Sequence, residues 1–250
     1  MNDGFVNENI IVEYLNGKLF HSLNSNFQSF LRFIFDSQLS DDTIVCSQKH
    51  NKSGEKPDIT IGVQTKASIK YVSIKKGSGN SVHQENLQDF TEFLYSIGID
   101  ASIIELLKRF HWSDGTDDNT GLVREPSAVY KSAHLNDLEI LNSALNSADV
   151  LSKLIDRTLF QGKSPNYTTA EYIYHGTLSK GTWASRDEIL AYCTNNSFKK
   201  SGVHFGPLTY QIWNANINRR VDMEPRRKSM QVKWGSMNDD LKAISSGRLK

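Results

Sequence analysis

The sequence predicts an α/β protein, or an α+β one, with one central mixed β-sheet flanked by helices and a largely helical stretch inserted into it. Three observations lead there. Apolar residues recur at helical intervals between Glu8 and Phe35. Two β-rich runs, 58–63 and 69–75, flank a short turn. A helical stretch over 99–160 then gives way to short strands beyond Thr168.

Taken in order, the N-terminal pattern reads as a helix near 7–16, a break at Asn16-Gly17-Lys18, and a second helix near 23–36 that Asn24 or Ser25 could cap. Residues 43–46 suit a short strand, and the polar, Gly- and Pro-containing run 48–57 a loop. The hairpin 58–63/69–75 is the clearest β signal in the chain. A Gly/Ser loop over 76–81 follows, then an expected helix over 82–94. Within 99–160 the run 113–121 is a polar break. Later elements are strands near 172–174, 211–213 and 230–234 and a helix near 185–195. There is no internal repeat and no low-complexity segment.

The bulk numbers exclude several classes. With 38% hydrophobic and 23% charged residues, the chain can bury a core and is not disordered. No apolar run approaches the roughly 20 residues that span a bilayer, so no membrane partner is expected. No secretion signal is recognisable at the N-terminus. Cys46 and Cys193 stand far apart without a CxxC, which points to structural thiols and a cytoplasmic location rather than a disulfide scaffold. Net charge is close to zero, yet from Lys199 onward eleven basic residues face four acidic ones. That local excess, with the Arg219-Arg220 and Arg226-Arg227-Lys228 clusters near Trp213 and Trp234, suits a phosphate-binding face.

The hairpin carries the chemistry. Residues two apart on a strand share a face, so Ser73 and Lys75 are neighbours. Asp58 opens the first strand after Pro57, at the end opposite the turn, and pairing of 58–64 with 69–75 sets it beside them. Phosphodiester hydrolysis needs a divalent cation. Magnesium accepts one or two carboxylates plus water and substrate oxygens. Asp58 supplies a carboxylate, and Lys75 an amine to orient the attacking water or steady the phosphorane.

Lys56-Pro57-Asp58 followed after a hairpin by Ser73-Ile74-Lys75 resembles the PD-(D/E)xK nuclease superfamily, which includes many restriction endonucleases. The resemblance covers roughly residues 5–95. It implies a restriction-endonuclease-like core with a central mixed β-sheet flanked by helices, and metal-dependent cleavage of double-stranded DNA using Mg2+ or Mn2+. Pro57-Asp58 and Ile74-Lys75 match the motif; where the family has an acid, this chain has Ser73. Two positions could restore the missing ligand. Glu85, beside Gln84 in the expected helix, would correspond to an acid that has migrated past the hairpin. Glu8, in the first turn of the N-terminal helix, fits better than Glu13. Expected metal ligands are thus Asp58, Glu85 and Glu8, with Ser73 and Lys75 completing the catalytic set. Expected substrate contacts are Lys76, Asn80, His83, Gln84, Arg219, Arg226 and Arg227.

The corresponding division is a core part over 1–98, a helical insertion over 99–165, and a C-terminal core part with the basic face over 166–250. A homodimer would suit cutting of both strands. A restriction-type endonuclease is the leading reading. A junction-resolving or nicking nuclease, a nucleic-acid-binding protein that keeps the fold without turnover, and a phosphate-handling or scaffolding protein of unrelated α+β fold remain alternatives.

Overall fold

A computed structural model of the chain describes residues 3–35, 39–64, 66–78, 81–213 and 221–248. Its first elements are α1 (Asp3–Leu15), β1 (Lys18–Leu19), α2 (Ser25–Phe35), β2 (Ile44–Lys49), β3 (Ile59–Val63), β4 (Lys66–Lys75) and β5 (Ser81–Asn86). A helical run follows: α3 (Leu87–Ser96), α4 (Ala101–Trp112), α5 (Ser127–Ala133), α6 (Leu135–Leu145) and α7 (Ala148–Ile155), ending in a π-helical turn at Asp156–Gln161. The chain then forms β6 (Tyr172–Gly176), β7 (Gly181–Ser185), α8 (Arg186–Asn195), β8 (His204–Phe205) and β9 (Leu208–Ile212). It finishes with a 3-10 segment (Val221–Lys228), β10 (Ser229–Lys233) and α9 (Met237–Gly247).

These elements form two compact units. One comprises residues 1–80, 159–192 and 236–250; the other comprises 81–158 and 193–235. The boundaries differ from the division at 98 and 165, because 81–98 and 193–235 join the helical stretch. β5 needs β10 as its antiparallel partner, and that pairing draws both segments into one unit.

The first unit holds a mixed six-stranded sheet, β1-β2-β3-β4-β6-β7. Its neighbours are antiparallel except β4 and β6. A parallel pair requires a crossover, and here the whole of 81–158 lies between the two strands. The α2 sequence places Phe27, Phe30, Leu31, Ile34 and Phe35 on one stripe, and all are buried. They pack with Ile11 and Leu15 of α1 and with Val45, Ile59, Ile61, Val72 and Ile74 of the sheet. Each such side chain contributes about 1.5–3 kcal/mol by leaving water. Asn24 caps α2, its Oδ1 accepting from the Phe27 N–H at 2.9 Å. Tyr174 stacks on Phe27 at 5.2 Å. A Cβ at Gly181 would come within 2.3 Å of the Tyr174 ring, so this packing requires glycine there. Ser185 and Glu188 form a capping box at the start of α8. Glu188 also accepts from Arg248, which ties the end of α9 to α8.

The second unit has an antiparallel sheet, β5-β10-β9-β8, that the sequence did not suggest. Phe90, Phe110, Phe205 and Tyr210 form its aromatic core. Buried His111 bridges the Tyr210 hydroxyl and the Arg227 carbonyl oxygen, each at 2.6 Å. Burial drives its pKa down to about 3, so the ring is neutral at ordinary pH. The carbonyl can only accept, so Nε2 carries the proton and Nδ1 accepts from the tyrosine.

The expected helix over 82–94 is a strand followed by a helix. Val82, His83 and Glu85 are buried while Gln84 and Asn86 are exposed. Inward positions filled by His and Glu hide a strand from any reading based on apolar alternation. Among the described residues no helix is long and apolar enough to cross a membrane.

Candidate active site

The hairpin register sets the site. Ile59 pairs with Val72, Thr60 with Tyr71 and Ile61 with Lys70. Asp58 therefore stands opposite Ser73, its N–H donating to the Val72 carbonyl at 2.9 Å. Three donors converge on one oxygen, Oδ2 of Asp58: the Ser73 hydroxyl at 3.0 Å, the Ile74 N–H at 2.6 Å and the Lys75 ammonium at 3.0 Å. Lys75 also donates to the Ile74 carbonyl at 3.2 Å. All three go to Oδ2, and among the described residues no hydrogen bond to Oδ1 is formed, which leaves that oxygen to another partner. Ser73 is buried and helps orient the carboxylate. An acid in its place would set a second negative charge against Oδ2, where the hydroxyl donates.

Glu8 enters from α1, on the helix face that carries Ile11 and Leu15. Its Oε2 lies 3.5 Å from the ammonium of Lys49 on β2. Burial raises its pKa above the ordinary glutamate range, and the Asp58 charge raises it further, while Lys49 and Lys75 act in the opposite direction. Glu8 thus belongs to one electrostatic cluster with Asp58 and Lys75; Glu13 is exposed. Two mutually repelling carboxylates, one with an unengaged oxygen, offer the hard donors that a divalent cation takes. No group of three or more His, Cys, Asp or Glu is arranged for a metal among the described residues. One or two carboxylates suffice for magnesium, which fills its remaining positions with water and phosphate.

Glu85 does not join this cluster. It lies in the second unit, fully enclosed, with Arg157 bidentate on it at 3.2 and 2.7 Å and His83 at 2.7 Å. Burial pushes its carboxyl up, but the hydrogen bonds and charges of His83 and Arg157 prevail and hold it below the ordinary range. A carboxylate whose two oxygens are already engaged has no free electron pair facing a cation, so the expectation for Glu85 is corrected to a structural ion pair. His83, expected to touch substrate, is correspondingly buried. Gln84 is exposed on β5 opposite Gln231, and Lys76 is exposed just beyond β4.

Arg227 is likewise not on an open basic face. It is buried, with its guanidinium 2.8 Å from Asp114. Arg226 is exposed and lies over the Trp213 ring at 5.6 Å. Asn80, Arg219 and Arg220 lie outside the described residues.

Two residues near the cluster escaped the sequence reading. Lys49 falls in the run 48–57 expected as a loop, but β2 extends to it, and its register partner is Ile59, next to Asp58. His175 pairs in register with Lys75 across the parallel β4–β6 joint and hydrogen-bonds the Gly77 carbonyl at 2.9 Å. That neighbourhood depends on a long-range crossover and leaves no local signal.

Among solved structures, the chain matches the restriction endonuclease MspI in complex with its cognate DNA, with a TM-score of 0.61 and 15% identity over 92% of this chain and 88% of that one. The chain has a restriction-endonuclease-like fold. No protein-family model and no curated protein matches the sequence. Within this restriction-endonuclease-like fold, the mixed sheet of the first unit presents Asp58, Ser73 and Lys75 at the open end of the β3–β4 hairpin.

Proposed function

We propose that the protein is a metal-dependent DNA endonuclease of restriction type, with Asp58 and Glu8 as cation ligands and Lys75 as the catalytic amine. The observation that carries this reading is the convergence of Ser73 and Lys75 on Asp58 at the end of a hairpin in a restriction-endonuclease-like fold. The DNA in the MspI complex supports double-stranded DNA as the substrate class.

Each residue has a task. Asp58 and Glu8 hold Mg2+ or Mn2+, which when bound neutralises charge on the phosphate and activates water. Ser73 and the Ile74 N–H fix the Asp58 carboxylate through Oδ2, so that it would meet a cation already oriented. Lys75 donates a hydrogen bond to a phosphoryl oxygen as negative charge builds there, or holds the attacking water in line. The pairing of β3 with β4, extended by the Asp58 N–H to Val72 carbonyl bond, keeps the carboxylate and the amine side by side.

Incubating the protein with plasmid DNA tests this directly. Cutting is expected with magnesium or manganese, and loss is expected with chelator or with Asp58→Ala. Cutting in chelator, or full activity in the Asp58 variant, would contradict the mechanism. DNA binding without cutting under all metals would instead indicate a binding protein built on a nuclease fold.

Arg226, exposed on the 3-10 segment, is a basic residue available for a phosphate. Arg226→Ala is expected to weaken DNA binding several-fold and reduce the slope of log affinity against log salt by about one. An unchanged slope in filter binding would remove Arg226 from the interface. Arg227 is excluded from this test because Asp114 already neutralises it.

A further inference from the structure

Each carboxylate of the proposed cation site pairs with a lysine: Asp58 with Lys75 at 3.0 Å and Glu8 with Lys49 at 3.5 Å. The four charges sum to zero. A divalent cation entering this arrangement meets two ammonium groups already placed on its ligands, and like charges at such distances repel strongly. One of them must leave. The structure distinguishes the two.

Lys75 is anchored. Its ammonium donates to Asp58 Oδ2 and to the Ile74 carbonyl, and the oxygen it uses is not the one left open for a cation. Lys49 makes a single, longer contact, and its side chain is 27% exposed against 12% for Glu8. Its ammonium also lies 5.5 Å from the Phe5 ring, itself a largely exposed side chain. Lys49 can therefore swing into water at little cost, whereas Glu8 is held on the inward face of α1.

We propose that Lys49 is a built-in competitor for the cation: it neutralises Glu8 in the metal-free site and is displaced when a divalent ion binds. The inference rests on the reading of Glu8 and Asp58 as cation ligands. It makes Lys49 a positioning residue that sets the metal requirement of the site. With Lys49 present, the Glu8 carboxylate already has a cationic partner, and the site fills only when the ion is plentiful enough to exchange with it. Removing Lys49 leaves Glu8 without its counter-charge while Asp58 keeps Lys75, so the site carries one more net negative charge and attracts the ion more strongly.

The test is Mn2+ binding to the DNA-free protein, measured by electron paramagnetic resonance of the unbound ion, for wild type, Lys49→Met, Lys49→Arg, Glu8→Gln and Asp58→Ala. Methionine keeps the apolar stem beside Phe5 and removes the charge. Lys49→Met is expected to bind Mn2+ about fivefold more tightly, the scale of a partly exposed ion pair. Lys49→Arg should stay close to wild type, and the manganese concentration for half-maximal plasmid cutting should fall in parallel for the methionine variant. Equal or weaker binding by Lys49→Met, with Asp58→Ala still losing the ion, overturns the role of Lys49 alone. If wild type binds no Mn2+, or if neither Glu8→Gln nor Asp58→Ala weakens binding, the cation site fails and Lys49 with it.

Discussion

Lys75→Ala is expected to slow DNA cleavage by about a thousandfold, the scale for losing a positioned proton donor in the transition state, while the protein still folds and binds DNA. The Lys75 side chain is 22% exposed, and its pair with Asp58 is only partly shielded from water, so its loss should cost at most about 1 kcal/mol of stability. Asp58 keeps its hydrogen bonds from Ser73 and the Ile74 N–H, so the carboxylate stays oriented. The discriminating measurement is the single-turnover rate at saturating metal beside a thermal melt. A variant that cuts at the wild-type rate removes the catalytic role; a variant that has unfolded says only that the pair was structural, and Lys75→Met then separates charge from packing. Lys75→Arg is expected to restore little, because a planar guanidinium cannot reproduce the point contact of an ammonium on Oδ2.

Glu85→Ala is expected to destabilise the protein by about 3–5 kcal/mol, the usual result of stripping one partner from a buried ion pair. It leaves the Arg157 guanidinium and His83 facing each other without the carboxylate that both contact. Chemical denaturation measures this, and Mn2+ affinity should be unaffected. Weaker metal binding at unchanged stability would return Glu85 to the list of ligands. The wild-type pair also carries a pH signature. Because the folded-state pKa of Glu85 lies below the ordinary value of 4.5, the unfolded chain binds more protons in the interval between the two. Its stabilising contribution is therefore fully present above about pH 4.5 and is lost as the pH falls through the depressed value. Glu85→Ala should remove that part of the acid sensitivity.

The contrast between Lys75 and Glu85 shows how far local sequence reaches. The carboxylate and amine of the site are 17 positions apart and are joined by one hairpin. β4 starts earlier than expected, at Lys66, and a bulge between Gly62 and Val63 shifts the register, but alternation still sets Ser73 and Lys75 on one face. Pro57-Asp58 and Ser73-Ile74-Lys75 therefore announce their own juxtaposition. Glu85 and Arg157 are 72 positions apart, and nothing near either residue records the other. The same holds for Arg227, which reads as part of a basic run until Asp114 is found beside it. Charge clusters in sequence do not separate solvated side chains from neutralised ones.

By itself, the amino-acid sequence determined the mixed α and β character, the two N-terminal helices, and the hairpin that carries Asp58, Ser73 and Lys75, while the structure chose Asn24 over Ser25 as the cap. The features so determined rest on periodicities confined to short stretches of chain. Only the tertiary structure decided that Glu8 and Lys49 adjoin the hairpin, that β4 continues the sheet through β6 rather than β5, and that β5 pairs inside a second unit. Those outcomes depend on loop closures of many residues, whose entropy is repaid only when whole faces are buried together. A sequence window cannot weigh that balance, because its two sides lie in different parts of the chain.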